Sequence, residues 1–575
     1  MIGAWPVASE AVAGLPEDLD ESTTSPLPIF LRSRSADFVY LLIASPLDVT
    51  ASGVESLYPY AVGEEAIGAI DAGEIVTMPP ERVFLGSHPY RTLASDDPPE
   101  VLFEPRLTVP YSFEARIPLP ASGTGLGAGA IGRIRAANGD RELDRFLAWA
   151  WEHRALQLLI GGTVNPGRWN EEVLPLDEYW PMPLQCAGIE SDGQEGFEII
   201  VADASLEIYD TLAREEYGGT GGLDGDANLA GKKKPLCLGI VRNAEAVPVD
   251  PAALVYQVHD GSIEAVISVR DKGVDLTPDG DISGLGLASV YDWVDVSGHF
   301  VTDLSRGIFR LGAKPQGGRV TCDVQGYNSG GYIDSTPEIV QALAVVFGGF
   351  PAERIDQRAF FLHFTATGPI GVYTGLDDPR TLGLIGELLA GASGWVSFTR
   401  DGLLTIREHK APEIEVAVDS ASGEEVLSAS SEPTGAPIWR VSVGYLRSWV
   451  VQTGDDLAAG VSEANRAVYG SQLRVATVTN SVARGAYQDA YELRIDSFFD
   501  EESDAREIAE QTIRRHSLRR RMHKVRVADW VFQRAPGDVI SIQSDRAGLQ
   551  TPKNVVVISV AENAPEKAVD MELWG

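Results

Sequence analysis

The side chains that could carry out catalysis are few, and none of them completes a known catalytic pattern. The three cysteines, Cys186, Cys237 and Cys322, include no Cys-x-x-Cys pair, so a thiolate zinc site or redox pair has no local support. Such an odd and sparse set favours reduced thiols and assembly in a cytoplasm. The eight histidines include no His-Glu-x-x-His motif, and no serine lies in a Gly-x-Ser-x-Gly turn. The pair His259-Asp260 is a local acid–base candidate, with a surface or hydrogen-bonded core histidine as the competing interpretation.

A glycine-rich run matches a nucleotide-binding fingerprint in its spacing but not in its context. Gly127-x-Gly129-x-x-Gly132 has the glycines of a dinucleotide-binding turn, which must lead into a helix that faces the pyrophosphate. Here residues 130–136 have the pattern of a strand. The sequence therefore predicts a structural loop that binds no nucleotide.

Two acidic runs imitate the start of a calcium-binding loop. The run 224–228 is Asp-x-Asp-x-Asn, yet Leu229 occupies the position that needs glycine and Pro235 the position that needs a bidentate glutamate. The run 279–284 keeps the glycine but has Val290 where the glutamate should be. Both runs are therefore interpreted as solvated acidic turns, with adventitious calcium binding as the alternative.

The elements that would position these residues in the first third of the chain are short strands. Residues 38–43 predict a buried strand, and alternating apolar and polar residues over 113–120 predict a half-buried strand that ends in prolines. Another strand is predicted over 154–160. Before it, an amphipathic helix is predicted with Asp140 as its N-cap. The apolar face of that helix comprises Leu143, Phe146, Leu147 and Ala150.

Three further helices are predicted in the middle and at the end of the chain. The run 336–338 (Thr-Pro-Glu) predicts a helix start, and this helix ends before the glycines at 348–349. A second helix over about 380–389 leads into a hairpin over 395–406, whose turn contains Asp-Gly. A third helix over about 502–520 is acidic around its start and basic at its end, which complements the helix dipole.

Composition describes a large acidic protein. Its length of 575 residues predicts about three to five domains, and 44% of the residues are apolar. The formal net charge of −36 argues against a main affinity for nucleic-acid phosphates or anionic lipid headgroups. The N-terminal stretch is acidic, and no apolar run approaches the ~20 residues that span a bilayer, so no membrane insertion is expected. The basic run Arg514–Arg521 allows a nucleic-acid contact or, given the acidic helix start, a solvated helix or subunit interface.

A long ordered motif covers residues 216–273, called here the motif segment. Its parts are a glycine-rich run at 216–225, GKKKPLCLG at 231–239, VRN at 241–243, VDP at 249–251, LVYQVHDG at 254–261 and DKG at 271–273. Less specific runs lie upstream at 129–144 and downstream in the 380–406 unit and at 535–540. Together these segments resemble one family, the tail-tip (baseplate) hub proteins of long-tailed bacteriophages, prophages and gene transfer agents.

The resemblance implies a β-rich α+β, multidomain fold in which tail-tube-like β-barrels carry small inserted α/β modules. It implies a structural subunit of the virion that is assembled in the host cytoplasm as a homo-oligomer, with a trimer expected. The expected partners are the distal tail ring, the tail tube and the central fibre or tip protein. Genome DNA would pass the subunit without specific binding.

The same resemblance, combined with the composition along the chain, predicts five regions. They are an N-terminal β-rich region over 1–110, a β-module with one packed helix over 111–215, a glycine-rich seam over 216–235, a hub β-barrel or α+β domain over 236–425, and a β-rich C-terminal domain with one long helix over 426–575. The seam is placed by its density of glycines, which regular structure does not tolerate. The last boundary follows a stretch rich in Pro, Ser, Glu and Ala.

Two other classes of function stay open on the sequence alone. A tail-associated cell-wall hydrolase would need two carboxylates or a Cys–His pair brought together by the fold. A receptor- or glycan-binding tail-tip protein would use exposed aromatic residues, for which the 11 tryptophans leave room. Some relatives carry a cysteine-ligated iron–sulfur cluster or an appended peptidase domain, and the three isolated cysteines match neither. The sequence therefore predicts no enzyme activity, no catalytic residue, no cofactor and no metal.

Overall fold

The structure is a computed structural model that describes residues 37–46, 82–110, 112–163, 176–191, 195–317, 319–528, 530–563 and 566–575. The predicted N-terminal region is therefore described only in part, because residues 1–36 and 47–81 lie outside this range. Within it, the chain forms 31 β-strands and six α-helices, joined by turns and short 3-10 helices. No helix among these residues combines the length and the apolar character needed to cross a membrane.

The elements are numbered in chain order. The first strands are β1 Asp37–Ala44, β2 Val83–Gly86, β3 Tyr90–Arg91, β4 Leu102–Pro105, β5 Leu107–Val109, β6 Ser112–Arg116, β7 Ala128–Ala137, β8 Ala155–Thr163, β9 Trp180–Ser191 and β10 Gly196–Ala202. The middle strands are β11 Cys237–Glu245, β12 Val247–Asp250, β13 Val255–Gln257, β14 Ile263–Asp271, β15 Val274–Asp275, β16 Thr277–Asp281, β17 His299–Asp303, β18 Ile308–Leu311, β19 Val320–Tyr327, β20 Gly371–Tyr373, β21 Gly394–Phe398 and β22 Leu404–Glu408.

The remaining strands lie in the C-terminal part of the chain. They are β23 Asp419–Ala421, β24 Val426–Pro433, β25 Ile438–Tyr445, β26 Arg474–Thr479, β27 Tyr491–Asp496, β28 Arg521–Ala528, β29 Val539–Ile542, β30 Lys553–Asn563 and β31 Ala568–Trp574. The helices are α1 Leu287–Asp292, α2 Thr336–Val345, α3 Thr381–Gly391, α4 Glu463–Tyr469, α5 Ser481–Ala486 and α6 Glu502–His516.

The largest sheet has 16 strands and joins the two ends of the chain. Its main order is β24-β28-β31-β30-β6-β7-β10-β9-β8-β1-β2-β4-β3, with β5, β23 and β29 on branches. The joint is the antiparallel pair β6–β30, where Ala115 faces Val560. One buried apolar cluster contains side chains from both halves, such as Leu42, Ile134 and Val557. Burial of this shared surface means that the two chain ends stabilise each other.

The middle of the chain forms two five-stranded sheets that share a core. Their orders are β15-β14-β19-β11-β20 and β12-β13-β18-β17-β16. Val241 and Val324 from the first sheet pack with Phe300 and Phe309 from the second. The ring of Tyr256 stacks on that of Phe309 with centroids 5.4 Å apart, and such a ring pair stabilises the core beyond the contribution of its buried area.

A three-stranded sheet, β26-β25-β27, is covered by the last helix. Helix α6 buries Ala505, Ile508, Ala509 and Ile513, which recur at the spacing of one helical face, in the cluster that contains Val443 of β25. Helix α2 begins at a capping box in which Ser335 and Glu338 bond reciprocally. The predicted helices at 336 and 380 and the β21–β22 hairpin are therefore confirmed.

Two local predictions need correction. The segment Glu142–Ala148 is a 3-10 helix, and Arg141 precedes it in a left-handed conformation (φ 60°). With three residues per turn, only Leu143 and Phe146 are buried, and Leu147 is 42% exposed. The residue at the N-cap position is Arg141 and not Asp140, although the Asp140 carboxylate, which pairs with Arg106 at 2.8 Å, also accepts the backbone N–H of Glu142 at 3.2 Å. The last helix ends at His516 and the chain enters β28 at Arg521, so the predicted end near residue 520 is wrong.

The predicted strand-rich, multi-sheet character with fewer helices is confirmed. Among the described residues the strands form five sheets, and none of these sheets closes into a barrel. The predicted tail-tube-like barrels are therefore not observed in the single chain. The division into five regions stays a prediction, and among the described residues the 16-stranded sheet draws strands from four of those regions.

Candidate functional site

The glycine-rich part of the motif segment is a closed loop built around Asp224. The Asp224 carboxylate accepts hydrogen bonds from Gly218 N at 2.8 Å and from the Thr220 hydroxyl at 2.6 Å. The Thr220 hydroxyl, followed by the backbone donors, holds the pKa of Asp224 below its usual value. The loop is closed by backbone bonds from Gly231 N to Tyr217 O and from Tyr217 N to Lys232 O. Asp224, the first acid of the calcium-loop-like run, is thus hydrogen-bonded within its own loop.

The two halves of the motif segment are tied to each other. The Tyr217 hydroxyl donates to the Gln257 side-chain oxygen at 2.6 Å in a buried contact. Lys234 Nζ lies 2.8 Å from the carboxylate of Glu215 and 3.4 Å from that of Asp260. Residues that are far apart in the motif therefore form one hydrogen-bonded unit.

His259 is a core residue and not half of an acid–base pair. It is 2% exposed, and its Nδ1 accepts the backbone N–H of Cys237 at 3.2 Å. Burial lowers the pKa of His259 to about 4, so the ring is neutral at physiological pH. The neighbouring Asp260 is engaged with Lys234. The hydrogen-bonded core interpretation of this histidine fits these contacts.

The Val-Arg-Asn part of the motif connects the middle sheets to the C-terminal part of the chain. Arg242 Nε and Nη2 donate to the two carboxylate oxygens of Asp500 at 3.0 and 2.7 Å. Asn243 Nδ2 donates to the Ser448 hydroxyl at 3.0 Å. Asp500 belongs to the acidic start predicted for the last helix, and it is 7% exposed and serves as the partner of Arg242. No pattern within the sequence links positions so far apart.

The glycine run at 127–132 has the predicted structural role. Gly132 lies within strand β7, so no helix start is available there for a pyrophosphate. A Cβ atom at Gly132 would lie 2.1 Å from the backbone oxygen of Ser112, and one at Gly125 would lie 2.4 Å from that of Gly386. These glycines allow backbones to approach closely.

The cysteines are buried and free, and they are not activated nucleophiles. Burial raises the pKa of Cys186 to about 11 and raises those of Cys237 and Cys322 further above the usual value. The thiols are therefore protonated at neutral pH. Across the described ranges, no group of three or more His, Cys, Asp or Glu side chains is placed to hold a metal ion.

Two of the five arginines in the basic run Arg514–Arg521 are buried inside the molecule, and of the three exposed ones Arg519 is paired with Asp489. Arg515 is buried and donates to the backbone oxygen of His409. Arg520 is also buried, and it donates to the backbone of Arg515 and to the carboxylate of Glu413. These guanidinium groups are not available to phosphates, which disfavours the nucleic-acid interpretation of the run.

Among the cavities that open at the surface of the described part, two have walls that come from several distant elements. The larger, about 580 Å³, lies between β6, the β21–β22 turn and β30, and is lined by Trp180, Trp395 and Phe398. An ion pair between Arg400 and Glu562, 2.8 Å long, forms part of its wall. The smaller, about 480 Å³, lies between residues 121–124, the end of α3 and strand β27. Sequence analysis predicted neither cavity, because their walls come from distant parts of the chain.

One edge of the large sheet is open and lies beside an exposed apolar run. Within the described part of the chain, strand β24 pairs in that sheet with β28 alone, and none of its residues is buried. In the preceding chain Ile414, Val416 and Val418 are 76, 87 and 60% exposed, and Leu427 within β24 is 55% exposed. Residues 414–427 are called here the apolar segment. An open edge with exposed apolar side chains is a surface suited to protein contact.

Comparison with known proteins gives similarity only among solved structures. No protein-family model matches the chain, and no curated protein matches it. The chain is similar to a tail protein from Neisseria meningitidis MC58, with 7% identity, a TM-score of 0.36, and coverage of 82% of this chain and 95% of that one.

Two further structures are similar to the chain. For the 43 kDa tail protein of prophage MuSo2 from Shewanella oneidensis, the identity is 8%, the TM-score is 0.31, and 82% of this chain and 93% of that one are covered. For a chain in the virion of a native gene transfer agent particle, the identity is 12%, the TM-score is 0.37, and 60% of this chain and 84% of that one are covered.

Proposed function

We propose that the chain is a structural subunit of a phage tail tip, located in the virion, which forms the baseplate hub that joins the tail tube to the central tip. The observation that carries this proposal is how the motif segment is used. Its polar side chains join the two halves of the segment to each other, as in the contact Tyr217–Gln257, and the segment to the C-terminal part of the chain, as in Arg242–Asp500. A motif used in this way specifies architecture, and it is the segment whose sequence resembles hub proteins.

The proposal assigns the apolar segment to contacts with other subunits. The open edge at β24 offers unpaired backbone groups, and Val416 beside it is 87% exposed. Homo-oligomers with closed symmetry satisfy such edges, and a trimer is the expected form. In this proposal, sheets that are open in one chain complete tail-tube-like barrels between copies. The distal tail ring, the tail tube and the central fibre or tip protein are the proposed neighbours.

The net charge of −36 fits a ring that surrounds a DNA path. A cationic bore would hold the genome, because each phosphate contact releases counterions and the affinity rises steeply with their number. An anionic bore repels the duplex over the ~10 Å range of electrostatic screening. We therefore expect the bore of the assembled ring to be acidic, and an electrostatic map of that ring decides the point. A neutral or basic bore contradicts this explanation of the charge.

The experiment that tests the hub assignment is a count of copies in purified particles. Particles are isolated, the chain is quantified by mass spectrometry against the major tail-tube protein, and gold-labelled antibody locates it by electron microscopy. We expect a multiple of three copies at the tip, and tails that fail to mature when the gene is deleted. A copy number that is not a multiple of three contradicts the trimer, and absence from the particle contradicts the hub assignment.

One observation favours a second function, a receptor- or glycan-binding tip. Trp180 and Phe398 line the larger cavity, and apolar rings beside polar groups are typical of small-molecule sites. In this case, glycans from the host surface should bind the purified chain, and Trp180→Ala should abolish binding without loss of folding. Binding that survives this substitution excludes the larger cavity as the glycan site.

A further inference from the structure

Arg447 has a guanidinium group that lies between aromatic rings, and no acidic side chain among the described residues is in contact with it. Its Cζ lies 4.5 Å from the centre of the Phe498 ring and 5.5 Å from that of Trp449. Its buried Nε has no hydrogen-bond partner in the described part of the chain. Asp496 and Glu387 act on it only through space, and burial lowers its pKa. The rings fix the guanidinium in place and leave its fork unused.

This guanidinium lines the smaller cavity together with groups that can bind an anion. The cavity, about 480 Å³ in volume, is also lined by Ser122, Thr124, Ser393 and His516. The His516 Nε2 atom is buried and has no partner among the described residues. Burial lowers the pKa of His516 to about 3, so the ring is neutral and can donate or accept one hydrogen bond. The cavity therefore has two guanidinium groups, of which Arg494 is paired with Asp496, and several uncharged polar groups.

The remaining walls restrict the charge and shape of a ligand. Leu493, Ile495 and Phe498 give the cavity an apolar side. Glu387 and Asp496 also line it, and Asp496 is already paired with Arg494 at 3.0 Å. These two carboxylates repel a doubly charged phosphate ligand more strongly than they repel a ligand that carries a single carboxylate group. One guanidinium fork matches one carboxylate in a bidentate pair.

We propose that this cavity binds a carboxylate group that is held by the Arg447 fork, with the apolar part of the ligand against Leu493 and Ile495. Strand β27, which contributes these two residues, is an edge strand of its sheet, with β25 as its strand partner. An extended protein segment can therefore lie along β27 and place a terminal or side-chain carboxylate in the cavity. A free small carboxylate has the same chemistry. The inference does not depend on the proposed hub function.

The test is calorimetric titration of the full chain with matched probes. The probes are an N-acetylated Ala-Leu-Leu tripeptide with a free C-terminal carboxylate, the same peptide with a C-terminal amide, hexanoate and hexanamide. We expect any acid probe that binds to have an affinity about tenfold or more above that of the corresponding amide probe. Binding of the peptide alone identifies a protein segment as the source, and equal binding of hexanoate identifies a small carboxylate. Equal affinity for acid and amide, or no binding of either acid, overturns the proposal.

Variants locate the site. Arg447→Met should weaken carboxylate binding about tenfold, and Glu387→Gln should strengthen it because a competing carboxylate is removed. Arg484→Met is the matched control, since Arg484 stacks on Trp439 at 4.3 Å outside the cavity, and it should bind like the unmodified chain. If Arg447→Met does not fold, Arg447→Lys keeps the charge and removes the fork, and its affinity should also fall. Unchanged binding in both Arg447 variants overturns the proposal.

Discussion

Arg242 and Asp500, which are 258 positions apart in the sequence, form a two-point ion pair in which both carboxylate oxygens accept from one guanidinium. Arg242 belongs to the motif segment, and Asp500 lies just before the helix that covers the three-stranded sheet. The side chain of Asp500 is 5% exposed and that of Arg242 is 29% exposed. The pair therefore joins the middle sheets to the C-terminal part of the chain in a largely dry environment.

Asp500→Ala should destabilise the chain by about 2–3 kcal/mol, because it leaves the Arg242 guanidinium half-buried without its partner. The measurement is urea unfolding followed by tryptophan fluorescence, with Arg242→Ala and the double variant completing a cycle. Asp489→Ala is the control, since its pair with Arg519 is exposed on both sides, and it should leave the unfolding midpoint unchanged. Equal effects of the two aspartate substitutions would contradict a structural role for the Arg242–Asp500 pair.

Buried histidines should make stability fall as the pH falls from about 6.5 to 4. Burial lowers the pKa of His259 to about 4 and the pKa of His409 to about 3, so the folded rings stay neutral in this window while the unfolded chain takes up protons. Each such histidine contributes a slope of about 1.4 kcal/mol per pH unit. Melting temperatures across this range should be less pH-dependent for His259→Gln than for the unmodified chain. Parallel profiles would show that His259 is protonated in the folded state.

The apolar segment should be required for assembly and not for folding. Val416→Lys changes a side chain that is 87% exposed, so the melting temperature should stay within error while incorporation into particles falls strongly. Val482→Lys is the matched control, since Val482 is 78% exposed on α5, and it should assemble normally. If both variants assemble equally well, the apolar segment is not a subunit contact.

The isolated chain should not degrade host cell wall. Burial lowers the pKa of His259 to about 4 and that of His409 to about 3, which makes both rings weak bases, and it raises the pKa of the three thiols, which therefore stay protonated near neutral pH. Zymography on host peptidoglycan should show no clearing at any loading. Clearing that one carboxylate substitution abolishes would establish the hydrolase class instead.

Local features of the fold could be predicted from the sequence because neighbouring residues determine them. The hairpin turn around Gly402 is one example, since its φ of +76° requires the residue type that the Asp-Gly signal supplies. The helix predicted from Asp140 failed because a pattern of apolar residues does not separate an α-helix from a 3-10 helix over seven residues. Arg141, in a left-handed conformation, changes the direction of the chain at the point where an α-helix was expected to start.

Contacts between distant parts of the chain could not be predicted. The facing of Ala115 and Val560 across the β6–β30 pair depends on register over more than four hundred residues, and many alternating strands fit equally well. The placement of Arg447 between Trp449 and Phe498 could not be predicted for the same reason. Arg447 and Trp449 follow strand β25, whereas Phe498 follows strand β27. The motif segment was informative because of its resemblance, and its partners Asp500 and Ser448 lie outside it.

The β6–β30 pair has a consequence for the order of events during synthesis. Strand β6 leaves the ribosome long before β30 exists, so its edge stays uncovered while most of the chain is being made. An exposed strand edge on a nascent chain is a template for wrong pairing, and slow closure of distant strands lengthens that exposure. Expression should therefore depend on chaperones that shield early strands. If a premature stop codon removes the last strands, the N-terminal half of the sheet should aggregate.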